Sequence, residues 1–493
     1  MFKKLASIGL LQVVGIAVNA VRSKVFAVLL GPAGFGIVAT IDQLVMSMVQ
    51  LCNLSVPYTA LKLLSRSHSQ GEAQFRRSYA TFFKLILALA IASTLVAMAV
   101  IPFRLAQFDP QLSPFQGPTT IALAGIAPLM MAMFLVNVLA AQQASLQAVM
   151  LTVASAAIAL IAGVLGCLAG GIQGIYLASV VASTIFVVVA FWVYHRQLGR
   201  NPGNREESIL KILRDNKDIL GITFWVYISV ASVAALLAFI RYLAIAQVNA
   251  DAAGFLQACI GISLSIGAVL GPATFLYFTP YISRDMPNAD RFRAANEFMP
   301  RLLALYSVGA MLILLFPETT LWVLYSAEFS TASLILPWFV AWQCIFQFSN
   351  AYQQLLISLD DLRGYGVVVV TGNLVAGLLC LALVSRYQLL GIALGMVGGG
   401  VVAGVLTTLR LRFSHGLAVP KSAFVLGAFA LLAFCLVAGV GRLTVEISGP
   451  GLAARSATAA LFLVGLWMAL PASFKAELAA AVAARWRRWF RKP

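Results

Sequence analysis

The chain has 493 residues, of which 61% are hydrophobic and only 10% charged, with a mean hydropathy of +0.93. A soluble domain carries roughly 25% charged residues to cover its surface, so this composition excludes a soluble enzyme or binding module and requires lipid. The net charge of +17, from 34 Lys and Arg against 17 Asp and Glu, would suggest a nucleic-acid partner in a soluble protein. Here the basic residues separate apolar runs of about 20 residues, the length that crosses a roughly 30 Å hydrocarbon core, so they report topology and imply no nucleic acid.

The chain opens with Met1-Phe-Lys-Lys4, and its first apolar run continues past Ala20 through Arg22 and Lys24 to Leu30. That run is too long for a cleavable signal peptide and reads as an uncleaved first span. With Gly/Pro turns and charge clusters as punctuation, helices are predicted near residues 5–30, 36–61, 82–103, 119–141, 147–169, 173–194, 219–245 and 253–280. Six more follow near 302–325, 331–358, 364–384, 388–409, 422–441 and 453–472. The expected fold is an all-α integral membrane protein of about 14 transmembrane helices in two pseudo-symmetric six-helix lobes. Its divisions are an N-lobe at 1–196, a cytoplasmic linker at 197–218, a C-lobe at 219–413, an additional helix pair at 414–474 and a basic cytoplasmic tail at 475–493.

On this layout 27 of the 34 Lys and Arg fall on one side of the membrane and seven on the other. One missed span would scramble that bias, so the charge rule supports an even helix count with both termini cytoplasmic. The tail Ala484-Arg-Trp-Arg-Arg-Trp-Phe-Arg-Lys-Pro493 suits either a helix lying on an anionic leaflet or a solvated basic end. A weak internal repeat aligns Pro32-Ala-Gly-Phe35 with Ala252-Ala-Gly-Phe255 and Leu64-Ser-Arg66 with Ile282-Ser-Arg284, at separations of 220 and 218 residues. Both copies begin inside, so an axis along the membrane normal would relate the two halves, with helices thirteen and fourteen left as an appendage.

Enzyme signatures are absent: there is no phosphate-binding G-x-x-x-x-G-K-[ST] loop, no H-E-x-x-H and no G-x-S-x-G elbow. Six cysteines, Cys52, Cys167, Cys259, Cys344, Cys380 and Cys435, fall singly in apolar stretches and read as small core residues. His68, His195 and His415 lie in separate loops and read as solvated. Glycines at four-residue spacing, as at Gly166, Gly170 and Gly174 or Gly395 and Gly399, predict close helix packing. Pro57, Pro128, Pro272 and Pro337 are expected to kink spans.

Charges inside the membrane carry the functional signal, since each costs at least roughly 2.5 to 3.5 kcal/mol at mid-bilayer and faces a cavity or a partner. Arg22 and Lys24 precede the Gly31-Pro32-Ala33-Gly34 turn by roughly 10 to 14 Å of helix. Asp42 follows that turn at similar depth, and Arg241 stands about as far before the corresponding turn of the second half. Each half thus offers a cation at one height. At about 100° per residue Gln12, Asn19 and Arg22 share one face and Lys24 points away, which turns the Asn19/Arg22 stripe to the lumen and sets Lys24 nearer Asp42. The competing reading has Arg22, Lys24 and Arg241 reach for the outer headgroups and Asp42 serve only as an ion-pair partner.

At these residues the sequence resembles the Wzx-type polysaccharide flippases of the multidrug/oligosaccharidyl-lipid/polysaccharide (MOP) exporter superfamily. The resemblance is most specific in the opening hairpin, Arg22-Ser-Lys-Val-Phe-Ala-Val-Leu-Leu-Gly-Pro-Ala-Gly-Phe-Gly-Ile37, and extends less specifically over the whole chain. It implies a V-shaped pair of six-helix lobes around a cationic central cavity in the bacterial plasma (inner) membrane. The implied activity is flipping of an undecaprenyl-diphosphate-linked oligosaccharide to the outer leaflet, with no cofactor beyond a coupling ion, H⁺ or Na⁺. Its partners would be the lipid-linked oligosaccharide, the bilayer, and polysaccharide polymerase or export proteins. Arg22, Arg241, Lys24 and Asn19 would bind substrate, Asp42 would couple or form an ion pair, and no residue would be catalytic. Fourteen spans are more like the peptidoglycan lipid flippases, which leaves a lipid II-type substrate open. Within the fold a cation-coupled multidrug exporter is the rival, though only Asp42 offers it a carboxylate well inside a span. From another class the rival is a membrane-embedded polymerase or glycosyltransferase.

Overall fold

A computed structural model describes residues 2–53, 56–108, 114–142, 144–198, 217–272, 274, 278–282, 286–443, 449–470 and 475–476, which form no strand. The expected linker (197–218) and tail (475–493) lie almost wholly outside these residues, as does the Ser283-Arg284 half of the second repeat match. The chain divides into two compact units, residues 1–257 with 324–328, and residues 258–323 with 329–493.

The first unit holds α1 (Phe2–Cys52), α2 (Val56–Gln70), α3 (Glu72–Phe108), α4 (Gln116–Ala124), α5 (Ile126–Ala141), α6 (Ser145–Leu198), α7 (Lys217–Gln247) and the start of α8 (Ala250–Pro272). The rest of α8 opens the second unit. It continues with α9 (Thr279–Ile282), α10 (Asn288–Leu315), α11 (Pro317–Leu324), a 3₁₀ turn (Ala327–Leu334), α12 (Leu336–Ser358), α13 (Leu362–His415), α14 (Lys421–Leu443) and α15 (Gly449–Ala469). The contacts thus divide at Gln257 and not in the expected 197–218 linker, because α7 packs on α1: Tyr227 donates to the Leu51 carbonyl at 2.8 Å and Ser47 to the Ala234 carbonyl at 3.1 Å.

Nine helices among the described residues are long and apolar enough to cross a membrane, and α1, α6 and α13, at 51 to 54 residues, are each about twice the necessary length. Each is interrupted where the backbone enters the left-handed region, at Gly31 (φ 65°), Gly171 (φ 57°) and Gln388 (φ 50°). Glycine meets that geometry without steric cost, and Pro32, whose missing N–H is not needed at a helix start, opens the second arm of α1. The arms then fold back on each other. In α13, Gly391 abuts Leu383, Gly395 abuts Cys380 and Gly399 abuts Ala376, so a step up one arm is matched by a step down the other. In α6, Gly166 lies against Gly174 and Ala178 in the same antiparallel manner. Counting both arms of these three helices, and adding α12 and the shorter apolar α14, the described residues contain the fourteen expected passes.

Three expectations need correction. Pro57 sits in a first turn and Pro272 is the last residue of α8, so these two mark helix ends, where a residue without N–H costs least; Pro128 and Pro337 follow directly on breaks within spans, at Gly125 and at the 60° bend between 327–334 and 336–358, where the expected kinks lie. The helix expected at 36–61 ends at Cys52, and the one at 119–141 breaks at Gly125. The final pair is no appendage: α14 packs on α10 and α12, and buried Arg455 of α15 donates to the Leu315 carbonyl at the end of α10, where a cation also complements the helix dipole.

Candidate substrate-binding site

The α1 turn determines what meets what. Ten residues on either side of Pro32 bring Arg22 and Asp42 opposite each other, and Arg22 Nη2 donates to Asp42 Oδ2 at 3.0 Å. Both side chains stay partly open, at 27% and 37% exposure, so the pair borders a space instead of filling a core. The Arg22 guanidinium also lies 5.2 Å from the Phe26 ring centre, within range of a cation–π contact. The second arm of α6, set by its glycine turn, delivers buried Tyr176, whose hydroxyl lies 2.9 Å from the Val38 carbonyl and 3.2 Å from Asp42 Oδ1.

Arg241 of α7 comes to the same place. It is only 4% exposed, donates through Nη1 to the Leu237 carbonyl at 2.8 Å and through Nη2 to Gln257 Oε1, and is close enough to feel the charge of Asp42. Together Asn19, Arg22, Asp42, Gln43, Arg241 and Gln257 are the polar walls of a cavity of ≈ 170 Å³ lying wholly within the first unit. Two guanidiniums against one carboxylate leave it cationic.

The packing of two turns holds this geometry. A Cβ on Gly36 would run into Gly254 and the Ala250 carbonyl, and one on Gly254 into the Pro32 carbonyl. The segments matched in the sequence repeat therefore touch through their glycines, with Asn249 Oδ1 capping Ala252 N–H at 2.8 Å.

Of the predicted site residues, Asn19, Arg22, Asp42 and Arg241 are brought together. Two expectations are corrected. Lys24 is exposed and does not line the cavity, and Asp42 takes Arg22 as its partner, because the sharp Gly31-Pro32 turn pairs positions equidistant from Pro32. Arg241, expected to face Arg22 from the second half, shares its unit. The Gln12 side chain lies outside the described residues. Sequence reasoning missed Gln257 and Tyr176. The same symmetry would have found Gln257, since it and Arg241 stand eight residues either side of Asn249; nothing local marks Tyr176.

Nor are the histidines simply solvated. His195 Nε2 is 3.2 Å from the Tyr79 hydroxyl among Phe83, Phe191 and Tyr194, and His415 Nε2 is 3.0 Å from Asp361. Among the described residues no three His, Cys, Asp or Glu side chains converge as a metal site would require.

No protein-family model matches the chain, and no curated protein does either. Solved structures do. An inward-facing multidrug-resistance MATE family transporter of the MOP superfamily is similar at a TM-score of 0.66, with 14% identity over 83% of this chain and 95% of that one. The lipid II flippase MurJ in an inward closed conformation is similar at a TM-score of 0.67, with 12% identity over 94% of this chain and 98% of that one. A MATE protein in complex with MaL6 gives a TM-score of 0.63 and 13% identity over 83% and 96%. The chain is a multi-pass membrane protein with the fold of the MOP-superfamily transporters.

Proposed function

We propose that the chain is a flippase that moves an undecaprenyl-diphosphate-linked oligosaccharide from the inner to the outer leaflet of a bacterial plasma membrane by alternating access, Arg22 and Arg241 gripping the diphosphate. The observation that carries this reading is the cavity with two guanidiniums and one carboxylate among membrane-spanning helices. Charges at such depth are retained for a ligand or a pathway. A guanidinium presents planar paired donors that match phosphate oxygens, and a diphosphate diester brings about two negative charges to a site with one cation in excess.

Size bears on which part of the substrate this cavity would hold. Drug-sized ligands occupy pockets of roughly 300 to 1,000 Å³, whereas this cavity is ≈ 170 Å³. It suits the diphosphate alone, with the prenyl chain left in lipid. The MurJ similarity spans 94% of the chain against 83% for the multidrug transporters, which favours a flippase with additional helices and keeps a lipid II-type substrate as the second reading. Asp42 holds Arg22 until the arriving anion takes its place.

Flipping of a lipid-linked oligosaccharide in proteoliposomes tests this. Arg22→Ala or Arg241→Ala loses a charge-assisted contact of about 1.5 to 3 kcal/mol, an affinity loss of roughly 10- to 150-fold. Lys at either position restores only part, keeping the charge without the fork. Normal flipping by the double Ala variant at normal membrane abundance overturns the reading.

A further inference from the structure

A second cationic groove lies in the other unit, at the free end of the α13 hairpin and remote in sequence from Arg22 and Asp42. We propose that it binds an anionic phospholipid, the phosphate held by Arg363 and Arg410, an acyl chain laid against Val367, Leu406 and Leu409, and Phe413 set beside the headgroup. The groove has a volume of ≈ 620 Å³ and is lined by these six side chains with Gly364, Val368 and Ser414.

Its polar end is prepared for an anion. Asp361 accepts from Arg410 Nε at 2.7 Å and Nη2 at 2.9 Å, and from the Gly364 N–H at 3.0 Å, while His415 Nε2 lies 3.0 Å away. That clamp fixes the guanidinium plane and consumes the carboxylate, but it leaves Arg410 Nη1 unbonded among the described residues. Gly364 permits it, since a Cβ there would fall 2.6 Å from Arg410 Nε. The Arg363 guanidinium is exposed and has no hydrogen-bond or ion-pair partner among the described residues. Two guanidiniums, Arg363 and Arg410, line the groove and no carboxylate does.

The apolar part points to lipid and away from a free phosphate. Phe413 is 79% exposed, the largest value for a bulky apolar side chain among the described residues, and Val367 (47%) and Leu409 (42%) are uncovered beside it. Arg363 stands a turn before Val367 and Arg410 a turn after Leu406, so Val367, Leu406 and Leu409 lie on the Gln388 side of the charges, while Phe413 lies a turn outward of Arg410. Phosphate and acyl chain run in that same order from the interface to the bilayer centre. On the layout expected from the sequence this end falls on the side with 27 of the 34 Lys and Arg, where basic pockets between helices meet anionic headgroups.

The full chain, purified from vesicles of mixed phosphatidylglycerol and phosphatidylcholine, provides the test when retained lipid is counted by native mass spectrometry. The expected result is selective retention of phosphatidylglycerol, a roughly tenfold loss in Arg363→Gln, a smaller loss in Arg363→Lys, and a severalfold loss in Phe413→Ala. Arg22→Ala retains lipid like the wild type, which separates this site from the transport cavity. Equal retention of both lipids, unchanged retention in Arg363→Gln and Phe413→Ala, or competition by soluble glycerophosphoglycerol as effective as by the intact lipid would each overturn the proposal.

Discussion

Asp42 sits between two guanidiniums, held by Arg22 at 3.0 Å and within the field of Arg241. A carboxylate in that position offsets part of the cavity's positive charge and competes with any anionic ligand for the same donors. Asp42→Asn keeps an acceptor for Arg22 but removes the competing charge. It should therefore tighten binding of a prenyl diphosphate while slowing its release, so that equilibrium binding rises by about tenfold, the worth of roughly 1.4 kcal/mol, and turnover falls. Binding that weakens in this variant would make Asp42 part of the anion site itself. Asp361 shows the other use of a carboxylate. Its acidity is pushed to about 2 from an ordinary 3.8, first by the Arg410 hydrogen bonds and then by those of His415 and the Gly364 N–H, against a burial that raises it. A lowered folded value stabilises fully above pH 4 and is lost as pH falls toward 2. The shift is worth no more than about 2.5 kcal/mol, less after solvent screening on the exposed Arg410 side. The thermal stability advantage of wild type over Asp361→Asn should accordingly be full at pH 7 and shrink below pH 4; a gap constant down to pH 3 would refute the assignment.

Helices in this chain are joined by contact between glycines as much as by turns. The Gly36–Gly254 approach ties the α1 hairpin to the start of α8, and Gln257, the partner of Arg241, lies less than one turn beyond it. Gly254→Ala must push the Pro32 carbonyl aside, an overpacking that typically costs about 1 to 3 kcal/mol, and should displace Gln257 with it. The variant should lose both thermal stability and substrate affinity, whereas Gly117→Ala, with open space around it, should lose neither. Equal behaviour of the two would remove the turn contact from the account of the site. The hairpins themselves were legible in the sequence, because a Gly-Pro or Gly-Gly pair flanked by apolar runs is a strong turn signal. The α13 turn was legible only as a charge, Arg386, between two spans; its left-handed residue is Gln388, which no propensity would select.

Over the whole molecule, the charge bias of 27 to seven predicts that both termini face the cytoplasm and the Gly31–Gly36 turn faces out. A cysteine introduced at Ala33 should react with an impermeant reagent added to intact cells and one at Glu206 should not; labelling of Glu206→Cys would invert or dismantle the topology. Helix number and order were readable because membrane spans advertise themselves by length and apolarity alone. Most of the cavity was readable too, since Arg22, Asp42 and Arg241 are costly where they stand. Which cation faces Asp42 was not, because helical phase fixes a direction on one helix while the neighbour's position depends on the turn geometry, and Tyr176 arrives from a helix more than a hundred residues away. The glycine turn of α6 has a consequence for biosynthesis. From Ser145 to Tyr194 there is no Lys, Arg, Asp or Glu, so the insertion machinery receives about 75 Å of uninterrupted apolar helix with no charge to halt or orient it. With no charge to mark it, the place where this stretch doubles back rests on Gly170-Gly171, and a side chain at Gly171, where φ is 57°, should strain the turn and lower the yield of inserted protein before any effect on transport.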